Sequence, residues 1–189
     1  MLLVAAAVVG LLGGLLTGGS MRGLLARRLR WPLVVITAFV ARELLIRTPL
    51  SDSPLAPDIF VVSLAVLVAW TAWHRDELPG IWLVTAGIAM NLLVVVLNGG
   101  RMPVDPALAG HGPAQLSRAG FWASYVLRGP DTRLGWLGDW ILIPRPAGLL
   151  FPQVYSPGDL VAAAGLAATL FLATRPRPSV TGRAAITSR

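Results

Sequence analysis

Cysteine is absent from this chain of 189 residues, and so is lysine. Without cysteine there is no disulfide, no thiolate metal site and no cysteine nucleophile. All sixteen basic residues are arginine, which reflects base composition of the coding sequence rather than mechanism. The two histidines, His74 and His111, are too few and too far apart in sequence to suggest a metal cluster. No metal and no cofactor is expected. Charge is also scarce, at 13% of residues against about a quarter in soluble domains, while 55% are apolar. That balance points to lipid as the solvent, and the length allows a single domain.

The net charge of +7 would suggest nucleic acid in a soluble protein. Here the charges sit in loops between apolar runs, so they report membrane orientation, and no nucleic-acid partner is expected. The first run, about 2–18, lacks a basic start and a small-x-small cleavage site, so it reads as a retained span rather than a signal peptide. Ala6, Gly10, Gly14 and Gly18 recur every fourth residue and put small side chains on one face, where a second helix can approach. Four further spans follow at about 32–46, 59–73, 80–97 and 159–174. The expected fold class is therefore all-α, a polytopic membrane bundle of five transmembrane helices with one long irregular extracytoplasmic segment, 98–158. Residues 1–174 form one bundle domain, and 175–189 read as a disordered basic tail.

Orientation follows from arginine. With five spans, the loops at 20–31 and 74–79 and the tail share a side holding nine arginines against Asp76 and Glu77. The opposite side holds six arginines and six aspartates. The N-terminus is therefore expected outside and the C-terminus inside.

Within the spans, polar residues are few. Glu43 and Arg47 lie four apart and face each other, which leaves Arg42 either another partner or a route to the headgroups. Asn91 sits near the middle of the fourth span and shares a face with Asn98; an interhelical hydrogen bond accounts for Asn91 without chemistry. In the outer segment, Ala119, Trp122, Ala123 and Val126 fall at i, i+3, i+4 and i+7, which predicts a short surface helix within 113–127.

The outer segment ends in TRLGWLGDWILIPRP and YSPGD, which bring Asp139 and Asp159 to the lip of the last span. Asp159 stands where a helix N-cap belongs; Asp139, after Gly138, suits a turn or a partner for Arg133 or Arg145. The alternative is chemical. Two carboxyls about 3 Å apart hold one proton between them, so one can activate water while the other donates a hydrogen bond to a scissile carbonyl.

GGSMRGLLARRLR, NGGRMPV, TRLGWLGDWILIPRP and YSPGD together resemble a family of uncharacterised bacterial five-helix membrane proteins, a domain of unknown function with NGGxMPV and SxGD motifs. That resemblance implies the architecture and no activity. The last third is also similar to lipoprotein signal peptidase (signal peptidase II). In that family one catalytic aspartate lies in a Val-x-Asp-Phe-like segment and the second ends an Asn-x-Ala-Asp motif opening the last helix. Here Leu137-Gly138-Asp139-Trp140-Ile141 and Ser156-Pro157-Gly158-Asp159 match that layout with a spacing of twenty, although Ser-Pro-Gly replaces Asn-x-Ala. The resemblance implies catalytic roles for Asp139 and Asp159, beside which Arg42, Asn91 and Asn98 are the supporting candidates. The expected main role is a structural or accessory membrane component. Its partners are the bilayer and a membrane-embedded protein or lipid-linked molecule.

Overall fold

Runs of fifteen to eighteen residues almost free of charge build the long helices of this protein, seen in a computed structural model that describes residues 2–27, 29–47, 53–111, 121–122, 124–143 and 154–175. In chain order these are α1 (Leu2–Leu16), a short α2 (Met21–Leu25), α3 (Pro32–Arg47), α4 (Ala56–Trp73), α5 (Ile81–Leu97) and α6 (Pro157–Ala173). The third long run starts at Ala56 rather than 59, because Pro57 fits the first helical turn, where its missing N–H costs nothing. Of the described helices, α4 alone is long enough and apolar enough to cross a membrane by length and composition; α1, α5, α6 and the apolar part of α3 are shorter.

Helix α6 lies between α1 and α5, α4 packs on α5, and α3 packs on α4. Glycine permits the two closest approaches. A side chain at Gly10 would strike the Ala167 backbone, and one at Gly14 would strike Thr174 and Phe171, so α1 lies parallel to α6. Gly87 meets Gly158 and Ala162, and Gly165 meets Leu83 and Val84, so α5 runs antiparallel to α6. The predicted small-residue face of α1 is thus the packing face at Gly10 and Gly14, while Gly18 has nothing within 4 Å and instead takes φ +89° beyond the helix.

One end of the bundle collects the C-termini of α1, α4 and α6. The Arg175 guanidinium donates to the Thr17 carbonyl and hydroxyl at 2.8 and 2.7 Å. Arg27 donates to the carbonyls of Glu77 and Arg175 at 3.3 and 3.4 Å. The Arg30 N–H donates to Nε2 of the buried His74 at 3.0 Å, which leaves Nδ1 to donate to the Trp70 carbonyl. Arginines placed on carbonyls at helix C-termini also complement the helix dipoles.

The opposite end is closed by the segment after α5. Gly99 and Gly100 take φ +67° and +78°, and the Gly100 N–H closes the helix on the Val95 carbonyl at 2.9 Å. Strand β1 (Met102–Val104) pairs in parallel with β3 (Tyr125–Leu127), which pairs antiparallel with β2 (Phe121–Trp122). The helix expected within 113–127 is therefore corrected over its described part: 121–122 and 124–127 are strand and turn. Phe, Trp, Tyr and Val favour strands, and β1 offers backbone groups that a helix would leave unmatched; the Met102 N–H donates to the Ser124 carbonyl at 2.7 Å. Residues 112–120 and 123 lie outside the described residues, as do 176–189 of the tail and the Glu43 and Arg47 side chains of the expected ion pair. Ala56, Phe60, Leu64, Val94, Val95, Met102 and Leu137 form a core joining this cap to α4 and α5.

Candidate functional site

Ser156-Pro157-Gly158-Asp159 begins α6 as a capping box. Proline at the first helical position fixes the start, so Ser156 is the N-cap and Asp159 the third helical residue, not the cap the sequence suggested. The Asp159 N–H donates to Ser156 Oγ at 3.0 Å, and the Ser156 N–H donates to Asp159 Oδ2 at 3.1 Å. Asn91 of α5 completes the set. Its Nδ2 donates to Asp159 Oδ1 at 2.8 Å, and its Oδ1 accepts from the Ser156 hydroxyl at 2.8 Å. Gly158 is required here, since a side chain on it would collide with Asn91. The expected interhelical hydrogen bond of Asn91 is present, and it falls on the candidate aspartate.

Asp139 reaches this place through backbone pairing. Its N–H donates to the Pro103 carbonyl at 2.8 Å, and its carbonyl accepts from the Asp105 N–H at 2.9 Å. The next two strands, β4 (Ile141–Leu142) and β5 (Val154–Tyr155), pair antiparallel with Ile141 opposite Tyr155. That ladder sets Asp139 beside the residues that open α6.

The Asp139 side chain differs from Asp159 in every respect. It is buried, Oδ1 has no hydrogen-bond partner, and its carboxyl bonds to no described side chain, Asp159 and Arg133 included. Burial first, and the negative charge of Asp159 second, hold its pKa well above the ordinary carboxylate value; Arg42 acts in the opposite direction. Asp139 is thus a buried acid that holds its proton more tightly than usual, next to Asp159, whose two carboxyl oxygens are both bonded. Burial and the same Asp159 charge push the Tyr155 phenol up, against the Leu2 backbone, so the start of α1 belongs to this end too.

Arg42 comes from α3. Its guanidinium carbon lies 5.7 Å from the centroid of the buried Phe60 ring, and its Nε is buried without a hydrogen-bond partner. Asn98 stands apart from the pair. It donates to the carbonyls of Val94 and Arg133 at 2.7 and 2.8 Å and accepts from the Arg133 N–H at 3.0 Å, which ties the end of α5 to a turn of the cap. Sequence reasoning put Asp139, Asp159 and Arg42 toward one end and Asn91 near mid-span; it did not foresee that Asn91 bonds Asp159, and it missed Ser156 and Tyr155. The serine had a signal, the S-x-x-D pattern before an apolar run. The tyrosine had none.

Fold and site together define a class: a mostly helical bundle closed at one end by a small-stranded cap, with two aspartates in unlike environments under it. The chain belongs to a family of unknown function, DUF5317, which it matches over residues 27–171. The match leaves out α1 and takes in the whole of the cap and both aspartates. No curated protein and no solved structure matches the chain.

Proposed function

We propose that this protein is a multi-pass component of a bacterial inner membrane. In this reading α1, α3, α4, α5 and α6 are five spans, the N-terminus and the aspartate end face outward, and the C-terminus is cytoplasmic. The bundle, 1–174, acts as one structural or accessory unit whose outer cap meets a membrane-embedded protein or a lipid-linked molecule. The observation that carries the reading is the bundle's exterior. Large apolar residues are exposed on all five helices, among them Val9 at 66%, Leu33 at 73%, Val62 at 60%, Leu93 at 49% and Leu172 at 40%. Water would not tolerate so much apolar surface, and lipid would. Exposed tryptophans mark both rims, Trp31, Trp73 and Trp82 at the arginine end and Trp136 and Trp140 at the aspartate end. Helices of 15–17 residues reach about 23–26 Å at ~1.5 Å per residue, so the bilayer thins locally around them. A phosphatase fused to the C-terminus is expected to be inactive and a fluorescent protein there to be bright. An active C-terminal phosphatase overturns the orientation.

A second reading, an aspartyl hydrolase like the signal peptidase the last third resembles, is favoured by one observation: the isolation of Asp139 beside the fully bonded Asp159. Asp159 would take a proton from water while Asp139 donates its own to a scissile carbonyl oxygen. Asp139→Asn and Asp159→Asn would then each abolish cleavage of a membrane-anchored peptide in a folded protein. Cleavage that survives either change removes this reading and leaves the first intact.

A further inference from the structure

An arginine inside a lipid-facing bundle needs an anion, and no described residue gives Arg42 one. Its Nε is buried and unbonded, its described contact is the Phe60 ring at 5.7 Å, and it makes no ion pair or hydrogen bond with any described residue. The nearby Asp159 carboxyl at this end is already engaged by Asn91 and Ser156. The acid it acts on, Asp139, follows two residues after Leu137, which packs in the Phe60 cluster, and its Oδ1 is bonded to nothing. Two buried polar groups of this kind, one cationic and one able to donate a proton, call for an oxygen-rich anion, because leaving each unmade costs about 1–3 kcal/mol or more. We propose that Arg42 and the Asp139 carboxyl form a subsite for a phosphate group carried at the outer surface by a lipid. Arg42 supplies charge and a planar pair of donors, and Asp139 supplies one O–H to a phosphate oxygen. The subsite lies beside α3, an edge helix of the bundle that packs on α4 and exposes Leu33, Ile36 and Val40, so a lipid-borne group can arrive laterally. Binding here requires no hydrolysis; it rests on the membrane reading proposed above, and it shares Asp139 with the second reading.

The charged groups acting on Asp139 are Asp159 from α6 and Arg42 from α3, with Tyr155 on β5 coupled to Asp159. An ionised Asp139 would repel phosphate, so binding weakens as pH rises through the raised value of Asp139. The test uses the full chain in dodecyl maltoside, titrated with dihexanoyl phosphatidic acid, inorganic phosphate or uncharged dihexanoylglycerol. Tryptophan fluorescence is the readout, since Trp140 adjoins Asp139 in sequence. A saturable response to phosphatidic acid and none to dihexanoylglycerol is expected, weakened by about tenfold or more in Arg42→Gln and by less in Arg42→Lys, which keeps the charge but loses the fork. Asp139→Asn should still bind, with its pH dependence reduced to that of the phosphate's own second ionisation. An equal response to inorganic phosphate supports the same chemistry with free phosphate as its source. Failure of every phosphate compound to give a saturable response in the unaltered protein overturns the proposal. So does unchanged affinity in Arg42→Lys and Arg42→Gln, or a pH dependence that is identical in Asp139→Asn and the unaltered protein.

Discussion

Replacing Asn91 by alanine tests the joint between α5 and α6 most sharply. The change removes a hydrogen bond of 2.8 Å to the Asp159 carboxylate and another of 2.8 Å from the Ser156 hydroxyl. The first is charge-assisted, at about 1.5–3 kcal/mol, and the second leaves a fully buried hydroxyl without its acceptor, at about 1–3 kcal/mol. These do not add fully, because both belong to one ring of groups. Polar contacts between helices in a bilayer also average nearer ~0.6 kcal/mol, since the separated helices find other partners. The Asp159 bond resists part of that discount, because it is charge-assisted and the carboxylate is half-buried at the joint. Roughly 2–4 kcal/mol follows, or a fall in midpoint of about 5–12 °C for a protein of this size. Thermal unfolding in detergent, followed by circular dichroism, measures it. A fall under about 2 °C would refute the reasoning, since it would mean the ring contributes no more than an ordinary surface contact.

Asp139→Asn keeps the shape of a neutral acid, so the fold should persist, and the effect should appear in the pH profile. The folded pKa of Asp139 is raised above that of the unfolded chain, near ~3.9, so its contribution is full below that pH and is lost as pH rises through the folded value. Midpoints recorded from acid to neutral pH should fall less steeply in the Asn variant. Asp159→Asn retains one acceptor for the cap and should cost about 1 kcal/mol, with Asp159→Ala costing more; equal losses for the two would deny the capping role. Gly10→Val should separate α1 from α6, lowering the midpoint by several degrees, because the side chain has only the Ala167 backbone to meet. The equivalent change at Gly99, where nothing lies within 4 Å, should act only through its φ of +67°.

Much of the helical frame was legible because its helices are long apolar runs whose ends are written in proline, glycine and arginine. Gly10 and Gly14 could be read as a contact face, though not whose face they meet. The strands around Tyr125 could not be read. Two- and three-residue strands show no usable alternation, and Trp122 and Val126 mimic helical spacing while pairing across β2 and β3. At the site, residue identities were legible and states were not. Asn91 and Asp159 are 68 apart in sequence, and no pattern announces that they bond. The raised pKa of Asp139 depends on its burial under the cap, a product of the whole fold. The serine of SPGD was within reach, as a capping box is a local device.

The central claim is that both aspartates lie under an outward-facing cap of a membrane-spanning bundle. A chain without native cysteine tests it cleanly. Asp131 is exposed in the cap and Asp76 is exposed in the loop between α4 and α5, at opposite ends of the bundle. In intact bacterial cells an impermeant maleimide should label Asp131→Cys and leave Asp76→Cys unmodified until the membrane is permeabilised. Labelling of Asp76→Cys with protection of Asp131→Cys would invert the bundle, and recovery of both variants from the soluble fraction would contradict the membrane account altogether.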